Sequence, residues 1–189
     1  MALILASASP RRVALLKLIT ENFTVVNSQA DETLLPGILP CRAVKLLAQR
    51  KAEAAAMKHP GDIIIGADTI VALGDDIFGK PRDRQEAADM LEALSGRTHE
   101  VYTGVCIWQT SMTDCFAQAA KVTFAAMDKQ EIEDYVDSGE PDDKAGAYGI
   151  QGLGARFIAR IEGDYYTVMG LPVQALYQAL RQKGLLTSL

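Results

Sequence analysis

The chain has 189 residues, 49% hydrophobic and 23% charged, the composition of a globular protein with a buried core. Its 24 acidic residues outnumber 19 basic ones for a formal charge of -5, which argues against a surface that grips a polynucleotide backbone by nonspecific attraction, so any anion site must be local. The length fits one domain, residues 1–189, and no segment approaches the roughly 18 consecutive apolar residues of a membrane helix.

In chain order, Ala2 to Ala6 reads as a buried strand leading into a helix. Ser9 is its N-cap, Pro10 its first residue, and Leu15, Leu16, Leu18 and Ile19 its buried face. Phe23 to Val26 reads as a second strand, and Ser28 to Leu39 as a loop. Pro40 opens a long helix, rich in Ala, Leu and Lys, that runs through Met57. Ile63 to Ile65 is a fully buried strand by its β-branched run. Thr69 to Leu73 continues extended into the Gly74-Asp75-Asp76 turn, which returns through Ile77 and Phe78.

Asp83 with Glu86 forms a capping box that starts a helix carried by Ala87, Met90, Leu91 and Leu94 and stopped at Ser95-Gly96. Val101 to Gln109 and Phe116 to Phe124 read as a long hairpin across a polar turn. Asp128 with Glu131 is a second capping box, for a short helix ending at Gly139. Ala155 to Ile161 and Tyr165 to Met169 read as another hairpin, across Gly163-Asp164. Pro172 opens the last helix, carried by Val173, Leu176, Tyr177 and Leu180 and capped by Gly184. Helices interleaved with single buried strands and hairpins define an α/β fold with a mixed sheet.

Cys41, Cys106 and Cys115 form no CxxC pair and leave an odd count, which reads as reduced, buried thiols in a reducing compartment. The opening residues lack a basic leader, so the expected location is the cytoplasm. With His59 and His99 the only histidines, a histidine-rich zinc centre is not expected. Neither GxSxG nor GxxxxGK occurs, which removes nucleophile-elbow hydrolases and P-loop enzymes.

Three segments could carry chemistry. Ser7-Ala8-Ser9-Pro10-Arg11-Arg12 stands where a strand turns into a helix, and free amides with two guanidiniums there could cradle phosphate. The alternative is a capped helix with two solvated arginines. Asp68, in Gly66-Ala67-Asp68-Thr69, interrupts an apolar stretch, and a carboxylate at such a strand end needs a metal, a cation or local amides. Glu32 and Asp68 are candidate oxygen ligands for Mg2+ or Mn2+. Lys51 and Lys80 are candidate phosphate ligands; the competing reading, a solvated surface charge, is stronger for Lys51, beside Arg50, than for Lys80, held between Gly79 and Pro81. Glu140 to Gly154 holds four glycines between Gly146 and Gly154, with Gln151 able to read a base edge; the alternative is an irregular structural turn.

Taken together, SASPRR, GADTIV, GKP, SGRTHEVYTGV, EPDDKAGAYGIQG and GDYYTVMGLP resemble the Maf family of nucleoside triphosphate pyrophosphatases, in order and over nearly the whole chain. The resemblance implies an inosine triphosphate pyrophosphatase-like fold, an elongated mixed sheet flanked by helices with two lobes around a nucleotide cleft. It implies metal-dependent cleavage of a nucleoside triphosphate to the monophosphate and pyrophosphate, and a homodimer. By position it makes Asp68 the proton acceptor, with Glu32, Lys51 and Lys80 as other cleft charges. It makes Ser7, Arg11 and Arg12 phosphate-binding, and links Arg11, Thr69 and Gln151 to substrate choice. The DKAGAYGIQG wording resembles the branch acting on dTTP and UTP, with modified pyrimidine nucleotides as further candidates. A nucleotide-binding regulator of cell division or septum formation without turnover is the alternative from another class, and an anion-binding structural protein a third.

Overall fold

The computed structural model describes residues 1–110 and 112–186. The last three positions of the expected 1–189 domain, and Ser111 in the turn of the long hairpin, lie outside the described residues. The described residues form a seven-stranded mixed sheet of order β2-β1-β3-β5-β6-β7, with β4 paired to β3. Chain contacts divide the described residues into two compact units, the first within residues 1–68, 103–118 and 170–186, the second within 69–102 and 119–169.

In the first unit β1 (Leu3–Ala6) lies between β2 (Thr24–Val26) and the start of β3 (Ile63–Leu73), parallel to both, with Ala6 opposite Val26 on one side and Gly66 on the other. All four β1 residues are buried, as strands covered on both faces require. The first helix, α1 (Pro10–Lys17), is N-capped by Ser9, whose Oγ accepts from Arg12 N. Leu15, Leu16 and Ile19 are buried, but Leu18 is 63% exposed, because it falls at the helix C-cap, off the 15/16/19 stripe.

The long helix α2 (Pro40–Ala56) packs on β1 and β3 through small residues, with Ala48, Ala52 and Ala55 in one core cluster with Ile4, Ala6, Ile64 and Cys106. The approach is close enough that a Cβ on Gly66 would overlap Ala48 O and lie 2.7 Å from Ala52 N, and a Cβ on Gly104 would lie 2.9 Å from Lys45 N. The cysteine expectation is corrected: Cys106 is buried and disulfide-bonded to Cys115, while Cys41 is exposed. The pairing follows from the sheet, since β5 (Thr98–Gln109) and β6 (Met112–Phe124) are neighbouring strands and the two Cα atoms stand 4.0 Å apart across them.

The second unit has its own core, in which Leu91 and Leu94 of α3 (Arg84–Leu94) meet Ile132, Tyr135 and Val136 of α4 (Lys129–Asp137), Phe124, Tyr148 and Phe157. Here β3 ends and turns back into β4 (Asp76–Phe78). Asp128 and Glu131 make the full capping box at α4, each side chain bonded to the other's backbone N–H. The box expected at α3 is half formed: Asp83 accepts from Glu86 N at 2.8 Å, but Glu86 Oε2 accepts from Arg82 N and Nε. The arginine one residue upstream offers a charged donor that outcompetes the N-cap amide.

The expected second hairpin is corrected. Leu153–Phe157 is a 3-10 turn, the strand is β7 (Ile158–Gly163), and Tyr165–Met169 is a helix, α5. Its run of aromatic and β-branched residues reads as strand, but Asp164 accepts from Tyr166 N, Thr167 N and Thr167 Oγ1, a cap that nucleates helix. The terminal helix α6 (Val173–Gln182) buries Leu176 and Leu180 and ends at Gly184, whose φ of 65° closes the turn.

Candidate functional site

The first unit holds six of the nine expected residues, Ser7, Arg11, Arg12, Glu32, Lys51 and Asp68. Strand β3 continues beyond the end of its ladder with β1, which stops at the pair Ala6 and Gly66. Asp68 therefore lies in the middle of an eleven-residue strand rather than at its end, yet beside the carboxyl end of β1, where parallel sheets leave a crevice. Gly66 and Asp68 share a face by the two-residue period, and the Gly66 face is the one that α2 covers. That places Lys51, on the same helix as Ala48 and Ala52, against Asp68, and its ammonium is bonded to Asp68 Oδ1. The Lys51 and Asp68 side chains are each 13% exposed, so Lys51 is no solvated surface charge.

Glu32 arrives from the loop. Arg50, adjacent to Lys51 on α2, donates from Nη1 to the carbonyls of Asp31 at 3.1 Å and Thr33 at 2.7 Å. The residue between those two carbonyls is thus held over the helix, and Glu32 Oε1 stands 2.8 Å from Lys51 Nζ. One ammonium is shared by two carboxylates, one buried and one exposed. Sequence reasoning used Arg50 only to discount Lys51, whereas it is the clamp that delivers Glu32.

The entry motif closes the other side. Ser7, buried at the end of β1, accepts from Ser9 N at 3.2 Å and from Arg12 Nη1 at 3.4 Å, and Arg12 Nε donates to the carbonyl of Gly170 at 2.8 Å. Arg12 is anchored, not solvated. Burial lowers its pKa and the neighbouring Asp68 offsets part of that effect. The Gly170 carbonyl was not foreseen; its signal is the glycine of GDYYTVMGLP, which adopts φ of 110°. Arg11 is partly exposed on the same turn of α1.

Two carboxylates that converge on one cation suit an ion such as Mg2+, which usually takes one or two protein carboxylates and fills its shell with water and phosphate oxygens. Among the described residues no group of three His, Cys, Asp or Glu forms a complete protein cage.

Thr69, Lys80 and Gln151 belong to the second unit. Thr69 is partly buried, and Lys80 and Gln151 are exposed. Gly146 N donates to the Gly79 carbonyl at 3.0 Å, which ties the glycine-rich segment to the residue before Lys80. His99, 1% exposed, bonds the Tyr148 hydroxyl through Nε2 at 2.8 Å and sits edge-on to Phe124 and Tyr148. Its Nδ1 has no hydrogen-bond partner among the described residues, and burial pushes its pKa down to about 4.

The fold is that of the Staphylococcus aureus Ham1 protein, whose solved structure aligns with a TM-score of 0.54 over 96% of this chain and 98% of that one at 14% identity. The sequence narrows this further, because a family model described as Maf-like protein matches residues 2–183, so the chain belongs to the Maf family. A Bacillus cytotoxicus protein named dTTP/UTP pyrophosphatase is 49% identical, the match covering 95% of this chain and 94% of the relative. An Aquifex aeolicus protein of the same name is 45% identical, covering 98% and 97%. Among the described residues no helix is long and apolar enough to cross a membrane.

Proposed function

We propose that the chain is a nucleoside triphosphate pyrophosphatase that cleaves dTTP and UTP, and modified pyrimidine nucleotides of the same shape, to the monophosphate and pyrophosphate. The observation that carries the reading is the Lys51 ammonium held between Glu32 and Asp68, next to Ser7 and Arg12 at the carboxyl end of β1. It is supported by the name shared by relatives at 45% and 49% identity. Residues 1–189 are read as one catalytic domain acting on a free nucleotide in the cytoplasm, as a homodimer.

In this reading water attacks the α-phosphorus, the new P–O bond forms as the bond to the β-phosphate bridging oxygen breaks, and pyrophosphate leaves. Asp68 orients that water and accepts its proton, within a site where positioning and charge do most of the catalysis. Lys51 balances the carboxylates and stabilises charge that develops on the phosphoryl oxygens. Ser7, Arg11 and Arg12 hold phosphate, Arg12 with its orientation already fixed by Gly170 and Ser7. Lys80 is assigned to phosphate, and Thr69 and Gln151 to the base, through their motifs. Asp68 and Glu32 would hold the Mg2+ or Mn2+ ion, which when bound supplies phosphate charge neutralisation and a more acidic water.

The test is pyrophosphate release from dTTP, UTP, CTP, dGTP and 7-methyl-GTP with Mg2+, Mn2+ or chelator. Metal-dependent release from dTTP and UTP supports the proposal. Nucleotide binding without release across the panel would replace it with the regulatory reading.

A further inference from the structure

The segment that carries Gln151 is built around one carboxylate. Glu140 Oε2 accepts from Leu153 N at 2.7 Å, and Oε1 accepts from Gly154 N at 3.1 Å and from the Tyr135 hydroxyl at 2.9 Å. Tyr135 Oη in turn accepts from Gly149 N at 3.1 Å. The turn from Gly149 to Gly154 is thus tied at both ends to Glu140, once directly and once through a fully buried tyrosine.

The glycines are there to let the backbone come this close. A Cβ on Gly152 would overlap the Glu140 carboxylate, and one on Gly154 would lie 2.6 Å from Tyr135 Oη. A Cβ on Gly149 would lie 2.8 Å from Lys144 Cε, and Lys144 Nζ holds the Glu140 carbonyl at 2.6 Å. Burial pushes the Glu140 pKa up, but the Leu153 and Gly154 amides, Tyr135 and Lys144 outweigh it and hold it below the usual value. The side chain is a structural anion, and Gln151, exposed at the crest of the turn it gathers, is the one residue there with amide chemistry suited to a base edge.

We infer that Glu140 is a positioning residue for base selection, which fixes the Gly149–Gly154 turn and thereby aims Gln151 at the nucleobase. The inference rests on the base-reading role proposed for Gln151. A glutamine in place of Glu140 keeps shape but offers one acceptor oxygen to three donors, so the turn loosens while the fold stays. A loosened reader loses discrimination before it loses chemistry.

The experiment compares wild type, Glu140→Gln, Gln151→Ala and the double variant, with Glu133→Gln, at an exposed position of α4, as a control for the lost charge. Competition binding of dTTP against dGTP is measured beside kcat and KM, because binding reads base preference without turnover. Expected for Glu140→Gln is a fall of about tenfold in the dTTP preference, mostly in KM, with kcat within about threefold and the thermal midpoint within a few degrees. The double variant should match Gln151→Ala, since the two act through one side chain. Unchanged preference in Glu140→Gln, or in Gln151→Ala, overturns the inference, as does equal loss in Glu133→Gln. Wild type that binds nucleotide but releases no pyrophosphate would defeat the proposed turnover, while the binding preferences still decide the role of Glu140.

Discussion

Lys51 on α2 is bonded to Asp68 on β3, seventeen residues further along the chain, and the two side chains are equally buried. A strand face with a glycine at one position and an aspartate two further on lets a helix approach closely and then presents it with a charge. Lys51→Met removes the ammonium and leaves Asp68 buried with Arg12 as its neighbouring cation. The expected result is a loss of about a hundredfold in kcat/KM and about 2 to 3 kcal/mol in urea unfolding, somewhat under the 3–5 of a fully buried pair. Asp68→Asn in the same background should recover part of that stability but none of the activity.

The close approach of α2 has its own test. Gly66→Ala places a methyl group onto the α2 backbone at Ala48 and Ala52, where neither partner is a flexible side chain. Chemical denaturation should register about 3 kcal/mol of destabilisation, and activity should fall with it because α2 carries Lys51. Gly74→Ala serves as the contrast: its added Cβ meets nothing within 4 Å, and only the strain of φ at 62° remains.

Much of this arrangement is legible in the sequence. The short apolar run before Ser-Pro, the Ala-rich helix and the β-branched Ile63 to Ile65 follow from periodicity and caps, and Asp68 stands out because nothing else charged interrupts its strand. Tyr165 to Met169 misleads because local propensity favours strand there while the single capping carboxylate of Asp164 decides for helix. The Arg50 clamp is a guanidinium bonded to loop carbonyls, which no residue type announces, and the Gly170 carbonyl that holds Arg12 has only its glycine as a signal. Cys106 and Cys115 are nine apart with no motif, and only the register of β5 against β6 brings them together.

His99 makes stability depend on pH. In the unfolded chain it takes up a proton near pH 6.5, whereas in the fold burial lowers its pKa to about 4, so stability is full above 6.5 and is lost as pH falls toward 4. At about 1.36 kcal/mol per pH unit the loss is about 2 kcal/mol by pH 5. Urea midpoints at pH 7 and pH 5 measure it, and His99→Gln should remove that share of the difference. An identical pH slope in the variant would assign the effect to other groups.

The cysteines give a count. Under non-reducing conditions a thiol reagent should titrate one group per chain, Cys41, and three after unfolding with a reductant. Cys41→Ser should leave none before reduction. Three thiols in freshly purified protein would mean that Cys106 and Cys115 stand reduced in the cell, as the sequence leads one to expect.

The most direct measurement is pyrophosphate release from dTTP and UTP by wild type and Asp68→Asn at equal, folded concentration, with Mg2+ and with chelator. The expected result is release that needs the metal and drops at least about a thousandfold in the variant, with the thermal midpoint nearly retained. An Asp68→Asn protein that keeps most of its turnover would contradict the site built around Asp68, Lys51 and Glu32.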